Sequence, residues 1–414
     1  MCRYPIIVFL IIPLLHACTI EAVDRPGNGG GSDSTAIFTD VSATNIPVDN
    51  LSGNSMDARA ADIDNDGDLD LVIAIEFFRN RILINDGNGV FTDQSAERLS
   101  GRDFDTEDIA IADFDGNGGL DIFFASEDNG TNEFYLNNGD GTFSDASARI
   151  RVAGTSNAAL ASDIDNDGDF DIFLGNNGTN DVLINDGSGF FQDQSTSRFP
   201  SQVNDITQDL ALGDIDGDGD QDLLIANEGD NRLLLNTGNG FFINQNQNRL
   251  PLVGNVQETR DADLANIDGD NDLDIYFGNI TIFQTGSNSQ DRLLVNTGQG
   301  FFNDVTVNQL PAIALNTFDG DFFDIDRDGD FDIIAGDFGS LDSPSGNFTG
   351  SNFARVFIND GTGFYSDQTG TYFPENFSPA VVDLEIADFN NDGLADIYVA
   401  NFRSQDVLLL QQPQ

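Results

Sequence analysis

One aspartate-rich segment recurs seven times, roughly 50 to 60 residues apart, and this period constrains the fold more than any other feature of the chain. Its pattern is D-x-D-x-D-G-x-x-D. Positions 1, 3, 5, 7 and 9 hold Asp62, Asp64, Asp66, Asp68 and Asp70 in the first copy, and Asp113, Asp115, Asn117, Gly119 and Asp121 in the second. The third has Asp163, Asp165, Asp167, Asp169 and Asp171; the fourth has Asp214, Asp216, Asp218, Asp220 and Asp222. The fifth has Asn266, Asp268, Asp270, Asp272 and Asp274; the sixth has Asp324, Asp326, Asp328, Asp330 and Asp332. The seventh has Asp388, Asn390, Asp392, Leu394 and Asp396.

Alternate residues of a tight turn can aim their oxygens at one point. Positions 1, 3, 5 and 9 supply side chains and position 7 a backbone carbonyl, while glycine at position 6 permits the bend. Six copies have that glycine (Gly67, Gly118, Gly168, Gly219, Gly329 and Gly393), and the fifth has Asn271, the next best residue for a left-handed backbone. Several hard oxygens on a flexible loop suit Ca²⁺, so up to seven Ca²⁺ ions are expected. Mg²⁺ demands stricter geometry, and zinc and copper prefer nitrogen or sulfur. The only histidine, His16, lies in the N-terminal segment. An EF-hand is excluded, because its twelfth position would be Ile73 and a β-like run follows where a helix should begin. The plainer alternative, an acidic turn without metal, fits one copy better than seven in register. Loops carrying Asn117, Asn266 and Asn390 have one charge fewer and are expected to bind more weakly.

A second motif keeps step with the first. Asn85-Asp-Gly87-Asn-Gly89-Val-Phe91-Thr-Asp93 recurs at 137–145, 185–193, 236–244, 296–304 and 359–367. Such Asn/Asp/Gly clusters between apolar runs mark hairpins. In the first repeat the expected strands are 57–61, 69–75, 81–84 and 90–94. Four-stranded units at a fixed period point to an all-β fold, a seven-bladed β-propeller with strand 1 innermost. The turn motif appears six times, and the chain stops after a third strand at 407–410. The missing fourth strand is matched near the other end, where Ile37-Phe38-Thr39-Asp40-Val41-Ser42 resembles 90–95. The N-terminal strand is thus expected to complete the last blade and leave no open edge. Residues 36–410 are then one domain.

In these motifs the chain resembles the FG-GAP/VCBS repeat family, the calcium-loop propellers that include integrin alpha-subunit heads. The resemblance implies a seven-bladed propeller with Ca²⁺ between strands 1 and 2, and ligand binding on the opposite face. It does not imply one activity.

Arg3 followed by the apolar run 6–15 reads as a signal peptide over residues 1–17, too short to span a bilayer. Leu15-His16-Ala17-Cys18 resembles a bacterial lipobox with lipid on Cys18, although His16 departs from the small residue usual there. Residues 18–35 form a Gly/Ser tether. An exported outer-membrane or cell-surface lipoprotein is expected, with a secreted or periplasmic protein as the alternative. The membrane would be touched through the anchor alone.

The formal net charge is −54 and every cation is arginine, which disfavours nucleic acid as a partner. The absence of histidine after residue 16 removes Ser/His/Asp and Cys/His catalysis. No carboxylate pair stands apart from the loops. The reading is a calcium-binding adhesion module for a protein or glycan, expected as a monomer. The alternatives are a polysaccharide-acting enzyme or its associated domain, and an envelope assembly factor.

Two features mark the face opposite the loops. Five residues before each loop stand Asp57, Asp108, Ala158, Asp209, Asp261, Asp319 and Asp383. They are expected as an acidic ring at one mouth of the channel, either bonding neighbouring backbone or holding a cation or polar ligand. Two long connections, 279–290 and 337–352, carry Phe283, Phe338 and Phe348 as candidate contact residues. The alternative places these rings against the blade.

Overall fold

The computed structural model describes residues 36–48, 54–128, 130, 132–152, 154–200, 205–253, 257–283, 288–342, 347–349, 354–374 and 379–413. The expected signal peptide, Cys18 and the tether lie outside these residues.

The structure is all-β and built from repeated four-stranded antiparallel sheets. In the first repeat the strands are Ser55–Ala61, Asp70–Ile75, Arg81–Asn85 and Phe91–Asp93, hydrogen-bonded in that order. The same order holds in each later repeat. The third and fourth repeats are joined by a short pairing of Asn177 with Ile206 and Gly178 with Asp205. At the ends, Phe38–Asp40 pairs with Val407–Gln411, which follows Asp396–Asn401 and Val381–Ala387.

The second strands are the apolar centre of each sheet. Leu71, Val72, Ile73, Ala74 and Ile75 are all buried, as a strand covered on both faces must be. Each apolar cluster is shared by two neighbouring repeats. Val72, Ala74 and Ile82 pack with Ile109, Ile122 and Phe124, for example, and Ala58 and Leu71 pack with Phe389, Tyr398 and Leu408. A repeat cannot cover its own two faces, so stability comes from stacking. The first strands lie side by side in chain order, and Ser55–Ala61 also lies against Val381–Ala387.

Two details differ from the sequence expectation. The first strand begins at Ser55, not Asp57, with an irregularity between them. The same shift recurs in the other repeats, for example between Thr106 and Asp108 and between Thr259 and Asp261. A one-turn helix also follows most outer strands, as at Ser95–Arg98 and Ser195–Arg198. It is set by the aspartate two residues earlier: Asp93 Oδ1 accepts from Ser95 N–H at 3.0 Å. Four residues are too few to show a helical period.

Candidate functional site: the acidic loops and the first strands

Each acidic loop is held by its own carboxylates. Asp62 accepts from Asp66 N–H and Gly67 N–H, both at 3.1 Å. The fully buried Asp70 accepts from Ile63 N–H with one oxygen and from Asn85 N–H, at 2.9 Å, with the other. Burial pushes its carboxyl up to about 7, and the same holds for Asp121, Asp171, Asp222, Asp274, Asp332 and Asp396. Position 9 therefore ties the loop to the third strand while facing the other acids.

Position 6 is left-handed in every copy, from φ 76 at Asn271 to φ 101 at Gly329. Position 4 is left-handed as well, at Asn65, Gly116, Asn166, Gly217, Gly269, Arg327 and Asn391. The side chain at position 7 turns away. In the first copy a Cβ at Gly87, itself left-handed at φ 80, would lie 2.5 Å from Asp68 Oδ2.

The residues fit a hard cation. Asp62, Asp64 and Asp66 bring carboxylate oxygens within 4.8 Å of one another, as do Asp113, Asp115 and Asp121, Asp163, Asp165 and Asp171, and Asp214, Asp216 and Asp218. Asp64 Oδ1, Asp165 Oδ1 and Asp216 Oδ1 are buried without a hydrogen-bond partner. Their other oxygens are held by Arg98 at 2.9 Å, Arg198 at 2.7 Å and Arg249 at 3.3 Å. An arginine thus pins position 3 with one oxygen left for a ligand. The donor set is all oxygen, as Ca²⁺ requires.

In five of the six turn motifs the opening asparagine joins neighbouring loops; Asn236 reaches only Gln221 O in its own loop. Asn85 Nδ2 donates to Leu69 O in its own loop and to Phe389 O, at 2.8 Å, in the seventh. Asn137 reaches Ile63 O, Asn185 reaches Phe114 O, Asn296 reaches Ile215 O and Asn359 reaches Ile267 O. The sequence showed these residues only as part of a turn.

Of the aspartates preceding the loops, all of which lie in first strands, Asp57, Asp261 and Asp383 are buried. Four bond the next first strand's free edge. Asp383 Oδ2 accepts from Ala58 N–H at 3.0 Å, Asp108 from Ala159 at 2.6 Å, Asp209 from Ala262 at 2.9 Å and Asp319 from Leu384 at 2.8 Å. The backbone-bonding alternative therefore describes these four. Asp57 Oδ2 and Asp261 Oδ2 have no hydrogen-bond partner.

The family description "FG-GAP-like repeat" matches residues 113–173, 163–225 and 214–277, each span running from one acidic loop into the second strand of the next repeat. Over residues 113–277 the chain is similar to FG-GAP-like repeats. Among curated proteins none matches the sequence. Two solved structures show a propeller-like fold over most of the chain. BBS1N in complex with ARL6DN has 12% identity, covers 92% of this chain and 98% of that one, and gives a TM-score of 0.53. YCF48 bound to D1 peptide has 8% identity, covers 94% and 100%, and also gives 0.53. An Agrocybe aegerita lectin described as recognising non-reducing terminal N-acetylglucosamine has 17% identity over 86% of this chain and 87% of that one, with a TM-score of 0.46.

On the end of the sheets away from the loops, the three expected phenylalanines behave differently. Phe283 is 58% exposed, and the Arg260 guanidinium stands 4.9 Å from its ring. Phe338 is buried instead, stacked 4.3 Å from Phe318, so the expectation of an exposed ring fails there. Phe348 falls in the short strand Asn347–Thr349, opposite Leu341; the placement of its side chain lies outside the described residues. Arg260, which the sequence did not single out, also pairs with Glu228 at 2.9 Å and Glu258 at 3.1 Å. Asp105, Glu107 and Glu127 form another acidic group on this end, and burial followed by Glu127 holds the Glu107 carboxyl well above its usual range.

Proposed function

We propose that this chain is a calcium-stabilised, seven-bladed propeller displayed at the cell surface, which binds a protein or glycan through the end opposite its acidic loops. The ring reading is supported by the strand pairing of Phe38–Asp40 with Val407–Gln411 and by the bond from Asn85 to Phe389 O. The observation that carries the calcium reading is the set of buried, unpartnered oxygens on Asp64, Asp165 and Asp216. Integrin-like use of the opposite face adds weight by analogy alone. Surface display through lipid on Cys18 is supported by the residues around it; palmitate-analogue labelling that persists in Cys18→Ser would refute it.

Phe283 with Arg260 is the contact group proposed for the ligand. A glycan array and a surface-protein pull-down, each run with calcium, test this. The reading expects a ligand whose binding to Phe283→Ser is at least about tenfold weaker, the effect of losing one exposed aromatic anchor. An unaltered affinity for the bound ligand would move the site elsewhere. Polysaccharide cleavage in the same assay would favour an enzyme.

A further inference from the structure

The channel wall gathers many carboxylates, and the chain supplies them with a cation on one side. Arg59 lies two residues after Asp57 on the first strand of the first repeat. Its guanidinium is 3.3 Å from both Asp57 and Asp108 and 4.0 Å from Glu385. The strand register shows what replaces it elsewhere. Arg59 stands opposite Val72; the residues in the same register are Asp263 opposite Tyr276 and Asp321 opposite Ile334. Two adjacent strands, Thr259–Ala265 and Thr317–Phe323, therefore present Asp261, Asp263, Asp319 and Asp321 where the first repeat presents one aspartate and one arginine.

Local hydrogen bonds satisfy only part of this group. Asp263 accepts from Leu264 N–H at 2.7 Å and Phe322 N–H at 2.8 Å, and Asp319 accepts from Leu384 N–H at 2.8 Å. Asp261 is 8% exposed and its Oδ2 has no partner. A buried carboxylate oxygen without a donor, beside like charges, is costly unless a cation or a proton joins it. Burial, then the charge of Asp319, holds Asp261 well above the usual carboxylate range, so protons and a cation would compete there.

We propose that Asp261, Asp263, Asp319 and Asp321 form a binding site for a hard divalent cation in the channel wall, separate from the acidic loops. All the ligands are oxygen, and the role is the one Arg59 fills across the ring. The proposal rests on the ring reading only in placing the first strands around a common channel.

Equilibrium dialysis of the full chain against Ca²⁺ and, separately, Mn²⁺ at pH 7.5 tests it, with bound metal counted by atomic emission. The wild type should bind one ion more than Asp261→Asn/Asp321→Asn, with either metal. Asp263→Arg, which copies the first repeat, should also lose one ion and should melt higher than the wild type in EDTA. The second variant keeps the test open if the first fails to fold. The loop variant Asp165→Asn should retain the channel ion. Wild-type stoichiometry in both channel variants would overturn the proposal and leave these acids protonated. Failure of the calcium-loop reading would look different: a wild type that binds one ion in all, lost in the channel variants.

Discussion

Gly67 and Asn271 occupy the same place in two loops, and both are left-handed, at φ 99 and 76. A Cβ at Gly67 would meet nothing within 4 Å, so the penalty there is conformational. Gly67→Ala should therefore cost about 1–2 kcal/mol in unfolding free energy. Asn271→Gly should change it by less than about 0.5 kcal/mol, since Asn already tolerates the region. Denaturant titration of both variants checks the contrast. Asn85 is a harder position. It is buried, donates to Leu69 O and Phe389 O, and accepts from Gly87 N–H and Gly89 N–H. Asn85→Ala would strand buried backbone groups and should cost about 2–4 kcal/mol. Position 6 was legible in the sequence because glycine has one common reason to recur there. The cross-repeat role of Asn85 was not, because its acceptor on Phe389 lies about 300 residues away in the chain. Arg98, Arg198 and Arg249 were hidden for the same reason: a contact with a loop acid some 33 residues earlier leaves no local pattern.

At the scale of elements, the strand order follows from the spacing of loop and turn. The alternation of two hairpin signals fixes which strand is inner and which is outer. The irregularity after Ser55 was invisible, because an extra residue in a strand changes no composition. The terminal strand makes the sharpest prediction. Phe38 is buried, its ring 5.8 Å from Phe373, and Phe38–Asp40 covers the edge of Val407–Gln411. Deleting residues 36–45 should leave that edge unpaired, lower the melting temperature and promote association. Light scattering during a thermal ramp would report it; a monomer melting at the full-length temperature would contradict the assignment. Phe389 serves a second junction. It is fully buried and meets Phe91 edge to face at 5.7 Å. Phe389→Ala should cost about 3–5 kcal/mol by chemical denaturation. The long connections were legible as insertions, but the fate of each phenylalanine was not. Phe338 finds Phe318, whereas Phe283 meets Arg260 at the surface.

Across the whole molecule, charge is the dominant problem. Burial raises Asp291, Glu133 and Glu385 to about 7, from 3.8 for the aspartate and 4.5 for the glutamates. A carboxyl with a higher value in the folded state binds its proton more tightly when folded. Its stabilisation is complete below the unfolded value and disappears as pH rises through the folded one. Metal-free protein should therefore lose stability between about pH 4 and 7, and its melting temperature in EDTA should be lower at pH 8 than at pH 5. Bound calcium should reverse that trend, because deprotonated loops are the ones that bind. The charge of −54 was plain in the sequence. The repeat already separates Asp62 in a loop from Asp57 five residues before it, but the burial of Asp57 required coordinates.

Thermal unfolding at pH 7.5 in millimolar Ca²⁺ and in EDTA tests the central claim most directly. Each filled loop should add roughly 2.7 kcal/mol at a free concentration a hundredfold above its Kd. Several loops together should then raise the melting temperature by more than about 10 °C over the EDTA sample. Superimposable melting curves would show that the seven loops hold the fold without metal, and would contradict the account.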